Sequence, residues 1–182
     1  SLLNVVSKTE IPIVIDADGL NNLSTIPEWW KLLKSPTVIT PHPGELSGLT
    51  GKSTLTIQSD RINISREYSK LWNVTLVLKG ALTVISSPSN LTSISPFINP
   101  GLATAGTGDV LTGIISGLIA QGSQVFPAAC SGVYLHGHAG NLTTNALGIS
   151  GIIASDIVNS IPSAIMSLTG INNPNPTLYN EY

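Results

Sequence analysis

The sequence contains little charge. Only 10% of its 182 residues are Asp, Glu, Lys or Arg, and the formal net charge is −2. A nucleic-acid-binding domain presents a basic face to phosphate, so this composition excludes nucleic acid as a partner. Long hydrophobic runs are also lacking, because the longest apolar stretch, Val110 to Ala120, is far short of the roughly 20 residues of a membrane helix. We therefore expect a protein that binds neither nucleic acid nor membrane.

Cysteine is almost absent as well. The single Cys130 excludes an intrachain disulfide, and such sparing use of cysteine is typical of a reducing compartment. We therefore expect a cytoplasmic protein. No pair of the three histidines stands at metal-ligand spacing with Cys130, so a zinc site is not predicted.

One carboxylate stands in a region that otherwise lacks charge. Between Gly80 and Ser155, the only Asp, Glu, Lys or Arg is Asp109. It follows the turn 105–108, Ala-Gly-Thr-Gly, and precedes an apolar run that predicts a buried helix. A glycine turn that opens a helix presents unpaired backbone N–H groups to phosphate. Asp109 is then either an acid that takes a proton beside bound phosphate, or simply the cap of its helix.

The order of apolar runs predicts an α/β fold. Buried strands are predicted at 11–15, 37–40 and 74–78, with helices at 27–33 and 59–72 between them. Two more strands, 81–85 and 92–98, are predicted to form an antiparallel edge, followed by helices that begin near Asp109, Pro127 and Ser155. Strands that alternate with helices indicate a parallel sheet with helices on its faces.

The spacing of apolar residues also predicts which helix faces are buried. The predicted buried residues are Ile62, Tyr68 and Leu71 in the helix 59–72, Val110, Ile114 and Leu118 in the helix that begins near Asp109, and Ile157, Ile161 and Ile165 in the last helix. One domain is expected over 1–168, and 169–182 is predicted to be a loosely attached tail.

Four polar clusters follow the predicted strands or turns. They are Asp16 with Asp18, His42 with Glu45, Lys79-Gly80, and the glycine turn before Asp109. In open α/β sheets, ligands bind beyond the carboxyl ends of the strands, so these clusters predict one common site. Each also has a simpler interpretation: an Asx turn, a rigid proline turn, a solvated strand end or a helix cap. His136 and His138 are predicted to be packing or interface residues.

Six segments, taken together, resemble the NAD(P)H-hydrate dehydratases, which are repair enzymes of the ribokinase-like superfamily. The segments are DADGL (16–20), TPHPGE (40–45), KGALT (79–83), NPGLATAGTGDVLTG (99–113), GVYLHGHAGN (132–141) and GIIASDIV (151–158). The resemblance implies a three-layer αβα sandwich around a mostly parallel sheet. It also implies a domain that is incomplete at its N-terminus, because the family's first strands precede this point.

By this resemblance, the reaction is the ADP-dependent dehydration of NAD(P)H hydrate, in which a ring hydroxyl is phosphorylated and phosphate then leaves. Asp109 would be the catalytic base, and Asp109 and His42 would contact the substrate. Glu45 would organise Mg²⁺ indirectly, and ADP or ATP would be the phosphoryl donor. The implied nucleotide-binding residues are Lys79, Gly80, Ala81, Leu82, Thr83, Ala105, Gly106, Thr107 and Gly108.

Two other functions stay open at the level of sequence. One is a different ribokinase-like kinase, such as a hydroxyethylthiazole kinase, although those usually carry Cys where Asp109 stands. The other is a non-catalytic fragment that binds nucleotide without turnover. A homo-oligomer is expected, and an NAD(P)H-hydrate epimerase, fused upstream or acting as a separate partner, stays open too.

Overall fold

A five-stranded sheet forms the middle layer of the computed structural model, which describes residues 6–170. Its strands follow the chain order: β1 (Ile13–Ile15), β2 (Thr37–Ile39), β3 (Thr75–Leu78), β4 (Val84–Ser86) and β5 (Thr92–Ile94). The first three strands are parallel, and β4 is antiparallel to both of its neighbours. Four of the five strands therefore point the same way, which confirms the mostly parallel sheet with an antiparallel edge.

Seven α-helices surround this sheet in the described residues. They are α1 (Asp18–Ser24), α2 (Pro43–Thr50), α3 (Thr54–Ser59), α4 (Arg61–Trp72), α5 (Thr107–Ala120), α6 (Val125–Leu147) and α7 (Ala154–Thr169). Within residues 6–170, none is both long and apolar enough to cross a membrane. Residues 171–182 of the predicted tail lie outside the described residues.

The helices form two layers because neighbouring residues of a strand point to opposite faces of the sheet. On one face, Ile15, Ile39 and Leu76 belong to a core cluster that also contains side chains of α1, α2, α3 and α4. On the other face, Val38 and Val77 pack with side chains of α5 and α6. The helix α7 packs on α6, outside the sheet. This arrangement confirms the predicted three-layer αβα sandwich.

The helix predicted over 27–33 is wrong. The structure has only a short 3₁₀ helix there, Trp29–Leu32, and it begins after Glu28, whose backbone is left-handed with φ of 51°. A right-handed helix does not continue through such a residue. The sequence prediction also missed α1 and α3, which are only seven and six residues long and too short to show a clear helical period.

The predicted buried face of α4 is largely wrong. Ile62 and Leu71 are exposed at 37% and 54%, whereas Ile64 and Trp72 are buried together with Tyr68. Trp72 sets the orientation of the helix, because its ring packs against Tyr68 and Trp29 at centroid distances of 4.6 and 5.1 Å. Large aromatic rings release more free energy on burial than a single aliphatic side chain, so they take the core position.

The buried apolar residues of α5 lie one position further along the chain than predicted. Leu111 and Ile115 are its buried apolar residues, whereas Val110, Ile114 and Leu118 are only partly buried. In α7, Ile157 is buried and Ile161 is partly buried, but Ile165 is 44% exposed.

The two adjacent isoleucines of α5 provide a test of this packing. We expect Ile115→Ala to lower the free energy of unfolding by about 3 kcal/mol, because it leaves a cavity in a core where Ile115 is fully buried. Ile114→Ala is the matched control and should cost about 1 kcal/mol or less. Urea denaturation of both variants measures the difference, and a larger loss at position 114 would contradict the packing described.

Candidate active site

Three strand ends meet at one ammonium group. Lys79 directly follows β3, and its Nζ lies 2.6 Å from Oδ1 of Asp16, which follows β1. The same Nζ is 3.6 Å from Oε2 of Glu45, which lies in α2 after β2. The structure thus brings residues from three of the predicted polar clusters together at the carboxyl edge of the sheet.

The fourth cluster, the first turn of α5, touches the same group. A Cβ at Gly108 would lie 3.5 Å from Nζ of Lys79 and 3.7 Å from Oδ2 of Asp16. One turn further along α5, Oγ1 of Thr112 donates a hydrogen bond of 2.8 Å to Asp16. The Asp16 side chain therefore joins β1, β3 and α5.

Burial of Asp16 on its own would raise the pKa of its carboxyl group. The hydrogen bond and charge of Lys79, together with hydrogen bonds from Thr112 and Thr40, outweigh that effect and hold the pKa below its ordinary value. Asp16 is consequently the ionised partner of Lys79, although sequence analysis identified it only as a polar residue at a strand end.

The segment Pro41-His42-Pro43-Gly44-Glu45 forms a capping box at the start of α2. Nδ1 of His42 accepts hydrogen bonds from the backbone N–H groups of Gly44 and Glu45, and Oε2 of Glu45 accepts one from the His42 N–H. The predicted rigid turn is therefore present. Because Nδ1 is an acceptor, the ring proton lies on Nε2. The Nε2 atom lies 3.4 Å from Oε1 of Glu45, and the His42 side chain is 56% exposed.

The glycine turn before Asp109 opens α5. Gly106 is the N-cap residue with φ of 85°, and the Thr107 hydroxyl donates to the carbonyl groups of Leu102 and Thr104. Within the described residues, the backbone N–H groups of Gly108 and Asp109 donate no hydrogen bond. Two free N–H groups at the positive end of a helix form a site suited to phosphate.

Asp109 does not cap its helix. It is the third residue of α5, it is exposed, and α5 has no side-chain capping hydrogen bond. The simpler interpretation of Asp109 as a cap is therefore not supported, and its carboxylate is left open to solvent at the first turn.

A cavity of about 470 Å³ lies beside this turn. Both polar and apolar residues line it, and the apolar ones include Phe97, Ile98, Leu102 and Val133. The predicted site residues that line it are His42, Lys79, Gly80, Ala81, Thr83, Thr107 and Gly108; those that do not are Glu45, Leu82, Ala105, Gly106 and Asp109.

The segment 79–83 forms one wall of the cavity. The Lys79 N–H donates to the carbonyl group of Pro41, and the Thr83 hydroxyl donates to the carbonyl group of Gly80. Gly80 has φ of 138°, a conformation that side chains rarely adopt. Leu82 also has positive φ, and its N–H donates to the carbonyl group of Phe97.

Arg61 contacts the backbone at the start of the segment 79–83. The sequence analysis did not identify this residue. Its Nη2 donates to the carbonyl groups of Leu78 and Lys79 at 2.9 and 3.3 Å. Its guanidinium also lies 3.1 Å from where a Cβ of Gly80 would stand. Nothing in the sequence pattern indicates this contact, because the partners are 17 and 18 residues apart.

The sequence of the chain was compared with protein families and with known proteins. A family model described as NAD(P)H-hydrate dehydratase matches residues 1–163. The chain belongs to the NAD(P)H-hydrate dehydratase family. The resemblance seen in the sequence is thereby confirmed.

Two relatives show how much of such a protein this chain represents. It is 44% identical over 161 residues to a bifunctional NAD(P)H-hydrate repair enzyme of Moorella thermoacetica, covering 88% of this chain and 30% of that protein. It is 43% identical over 152 residues to an ADP-dependent (S)-NAD(P)H-hydrate dehydratase of Neisseria meningitidis, covering 82% of this chain and 51% of that protein. The chain thus spans about a third to a half of the length of these relatives.

The fold of this dehydratase family member also matches a solved structure. An ADP/ATP-dependent NAD(P)H-hydrate dehydratase from Bacillus subtilis, crystallised with ATP and Mg²⁺, superposes with a TM-score of 0.81 at 29% identity. The match covers 91% of this chain and 58% of the B. subtilis chain.

The ion pair of Asp16 with Lys79 makes stability depend on pH in a defined direction. A carboxyl group whose pKa is lowered by folding stabilises the native state fully above its ordinary value of 3.8, and this contribution is lost as the pH falls through the lowered pKa of the folded state. We expect Asp16→Asn to lower the free energy of unfolding by up to about 3 kcal/mol at pH 7, and by much less near pH 3.

Urea denaturation at the two pH values measures this difference. Asp18→Asn is the matched control, because Asp18 is exposed and should cost about 0.5 kcal/mol or less at either pH. An equal loss for Asp16→Asn at both pH values would contradict the role given to the ion pair.

Proposed function

We propose that this protein dehydrates NAD(P)H hydrate with ADP as phosphoryl donor. The observation that carries the proposal is the first turn of α5, where the free N–H groups of Gly108 and Asp109 lie beside the ammonium group of Lys79. This turn can hold a phosphoryl group while the exposed Asp109 carboxylate stands next to it. The dehydratase names of relatives at 43% and 44% identity support the same reaction.

The chemistry requires a better leaving group than hydroxide. Asp109 takes the proton of the substrate's ring hydroxyl, and the hydroxyl oxygen attacks the terminal phosphorus of ADP. The bond from that phosphorus to its bridging oxygen breaks and AMP leaves. The carbon–oxygen bond of the new phosphate ester then breaks, phosphate departs with the electron pair, and loss of a proton from the adjacent ring carbon restores the double bond.

The first turn of α5 and the segment 79–83 bind different parts of the nucleotide. The free N–H groups of Gly108 and Asp109, which follow the turn at Ala105 and Gly106, stabilise charge on the transferred phosphoryl group. Lys79 adds a positive charge at the same place. The segment Lys79–Thr83 lines the cavity with Gly80, Ala81 and Thr83, so we assign the rest of the nucleotide to this wall.

His42 is the proposed contact to the hydrated ring. Its Nδ1 is occupied by the capping hydrogen bonds, its Nε2 lies 3.4 Å from Oε1 of Glu45, and its ring lines the cavity. A hydrogen bond from Nε2 to the substrate would orient the hydroxyl group toward Asp109.

Glu45 is the proposed indirect partner of Mg²⁺. The described residues contain no group of three or more acidic, His or Cys side chains that could hold a metal ion. Mg²⁺ commonly keeps several waters and binds through one or two carboxylates together with substrate phosphates. A carboxylate 3.6 Å from Lys79 at the phosphate turn fits that role. When bound, the ion would neutralise charge on the phosphates.

The partners and location of the protein are part of the proposal. The bifunctional name of the Moorella relative supports an NAD(P)H-hydrate epimerase, fused or separate, as the companion activity. Self-association and cytoplasmic location stay predictions. The other two candidates, a different ribokinase-like kinase and a non-catalytic fragment, gain no support from the names of these relatives.

Removal of the proposed base tests the reaction directly. We expect Asp109→Asn in the full natural protein to slow turnover of hydrated NADH by 10²- to 10⁴-fold, because the attacking hydroxyl loses its proton acceptor. Binding of ADP should persist. Asp18→Asn, an exposed carboxylate outside the cavity lining, is the control and should keep near-normal turnover. Unchanged kcat for Asp109→Asn would overturn the assignment.

A side chain at the phosphate turn tests where the nucleotide binds. ADP should raise the Tm of the wild-type protein, because it binds only the folded state. Gly108→Val should abolish this increase, since a branched side chain would block phosphate from the free N–H groups. Gly113→Val is the matched control on the same helix, because no atom lies within 4 Å of a Cβ there. An ADP-induced shift that survives Gly108→Val would place the nucleotide elsewhere.

A further inference from the structure

Arg61 is a partly buried cation without an acidic partner. It is the first residue of α4, where the positive end of the helix dipole disfavours a cation. Burial lowers the pKa of its guanidinium group, which still stays charged at neutral pH. None of the ion pairs formed within residues 6–170 includes Arg61. Helix stability alone therefore does not explain a charge at this position.

The guanidinium group binds backbone carbonyl groups instead of a carboxylate. Its Nη2 donates to the carbonyl groups of Leu78 and Lys79, and its Nη1 donates to Oε1 of Gln58 at 2.7 Å. Leu78 is the last residue of β3, so these contacts lie where the chain leaves the sheet. A guanidinium group is planar and rigid, and it fixes two consecutive carbonyl groups more firmly than a flexible ammonium group does. Arg61 thus sets the direction of the backbone at the start of the segment 79–83.

The carbonyl group of Lys79 shares its peptide plane with the N–H group of Gly80. In a trans peptide these two groups point in opposite directions, so the N–H group points away from the guanidinium group that binds the carbonyl. Among the residues that the structure describes, none accepts a hydrogen bond from this N–H. Gly80 is exposed and lines the cavity. The N–H group of Gly80 is therefore a free donor, and Arg61 fixes its direction.

Arg61 also supplies positive charge where the cavity has little of it. In the described part of the chain, Lys79 is the only Lys or Arg that lines the cavity, and its ammonium group already faces Asp16 and Glu45. The two terminal nitrogens of Arg61 lie 3.1 and 3.3 Å from where a Cβ of Gly80 would stand. A fixed positive charge so close to the Gly80 N–H group strengthens a hydrogen bond from it to an anion. The ligand that fits this donor is therefore anionic.

We infer that Arg61 is a positioning residue for the nucleotide, and that it presents the N–H group of Gly80 to a phosphate. This inference rests on the proposed function, which puts ADP in the cavity. The first turn of α5 is assigned to the terminal phosphate of ADP, so the N–H group of Gly80 binds the other phosphate, which AMP retains. Arg61 does not touch the nucleotide itself, because it acts through the peptide between Lys79 and Gly80.

Calorimetric titration of the full natural protein with ADP, AMP and adenosine tests this inference. Arg61→Ala removes both carbonyl contacts, and we expect it to weaken the binding of ADP and AMP roughly tenfold, as for loss of one hydrogen bond to a charged group. Adenosine carries no phosphate, so its affinity should stay within about twofold of the wild-type value. In steady-state kinetics, KM for ADP should rise roughly tenfold with little change in kcat, because the phosphate that reacts is bound elsewhere.

Two further variants separate this role from a general loss of stability. Arg66→Ala is the matched control, because Arg66 lies on the same helix, is exposed, and donates to the hydroxyl group of Thr92. It should bind all three ligands as the wild type does. Arg61→Lys keeps the charge but not the planar pair of donors, so its affinity for ADP and AMP should lie between those of the wild type and Arg61→Ala.

The amide resonance of Gly80 gives a measurement that needs no variant. ADP and AMP should each move its proton signal downfield in ¹H–¹⁵N spectra, because the N–H group then donates to an anionic oxygen, whereas adenosine should not. The inference is overturned if this signal does not respond to ADP or AMP, if Arg61→Ala keeps wild-type affinity for ADP, or if it weakens adenosine as much as ADP. Absence of ADP binding by the wild type would instead overturn the proposed function.

Discussion

The ammonium group of Lys79 is the contact on which the site depends. It pairs with Asp16 and approaches Glu45, so one cation lies between carboxylates that follow two neighbouring strands. Without that cation, two acidic groups would lie close together in a partly buried place, which is costly. Because Gly108 lies against the same ammonium group, the position of α5 relative to the sheet is fixed there too. The pair therefore places the phosphate turn at the edge where three strands end.

Close helix packing fixes the other side of the cavity. A Cβ on Gly132 would stand 2.6 Å from the Ile115 side chain, and one on Gly137 would stand 2.3 Å from the ring of Phe97. These distances are shorter than atoms tolerate, so both positions require glycine for α6 to approach α5 and the wall beyond β5. Gly137 and its neighbour His136 both line the cavity. The close packing of α6 at these two glycines therefore helps to set the shape of the cavity.

Sequence reasoning predicted the sheet, its antiparallel edge and the grouping of polar residues at strand ends, because these follow from short apolar runs and from strand direction. It failed where the buried face of a helix, or the contact of a side chain, depended on residues that are distant in the sequence. The buried face of α4 was set by the stacking of Trp72 on Tyr68 and Trp29, which spacing alone does not reveal. Arg61 was missed for the same reason, since the backbone groups that it contacts are 17 and 18 residues away in the sequence. The roles of Asp109 and the nucleotide-binding segments stay predictions.

The capping box of α2 constrains how this protein can evolve. Nδ1 of His42 caps the start of a helix, and the same ring lines the cavity. The usual N-cap residues, Ser, Thr, Asp and Asn, would accept the same backbone hydrogen bonds, but their short side chains would not reach across to the cavity. Under the proposed function, selection for a firmer helix and selection for substrate contact act on a single side chain. A substitution of His42 that stabilises α2 would change the proposed contact with the substrate, and a substitution that changes this contact would alter the helix cap.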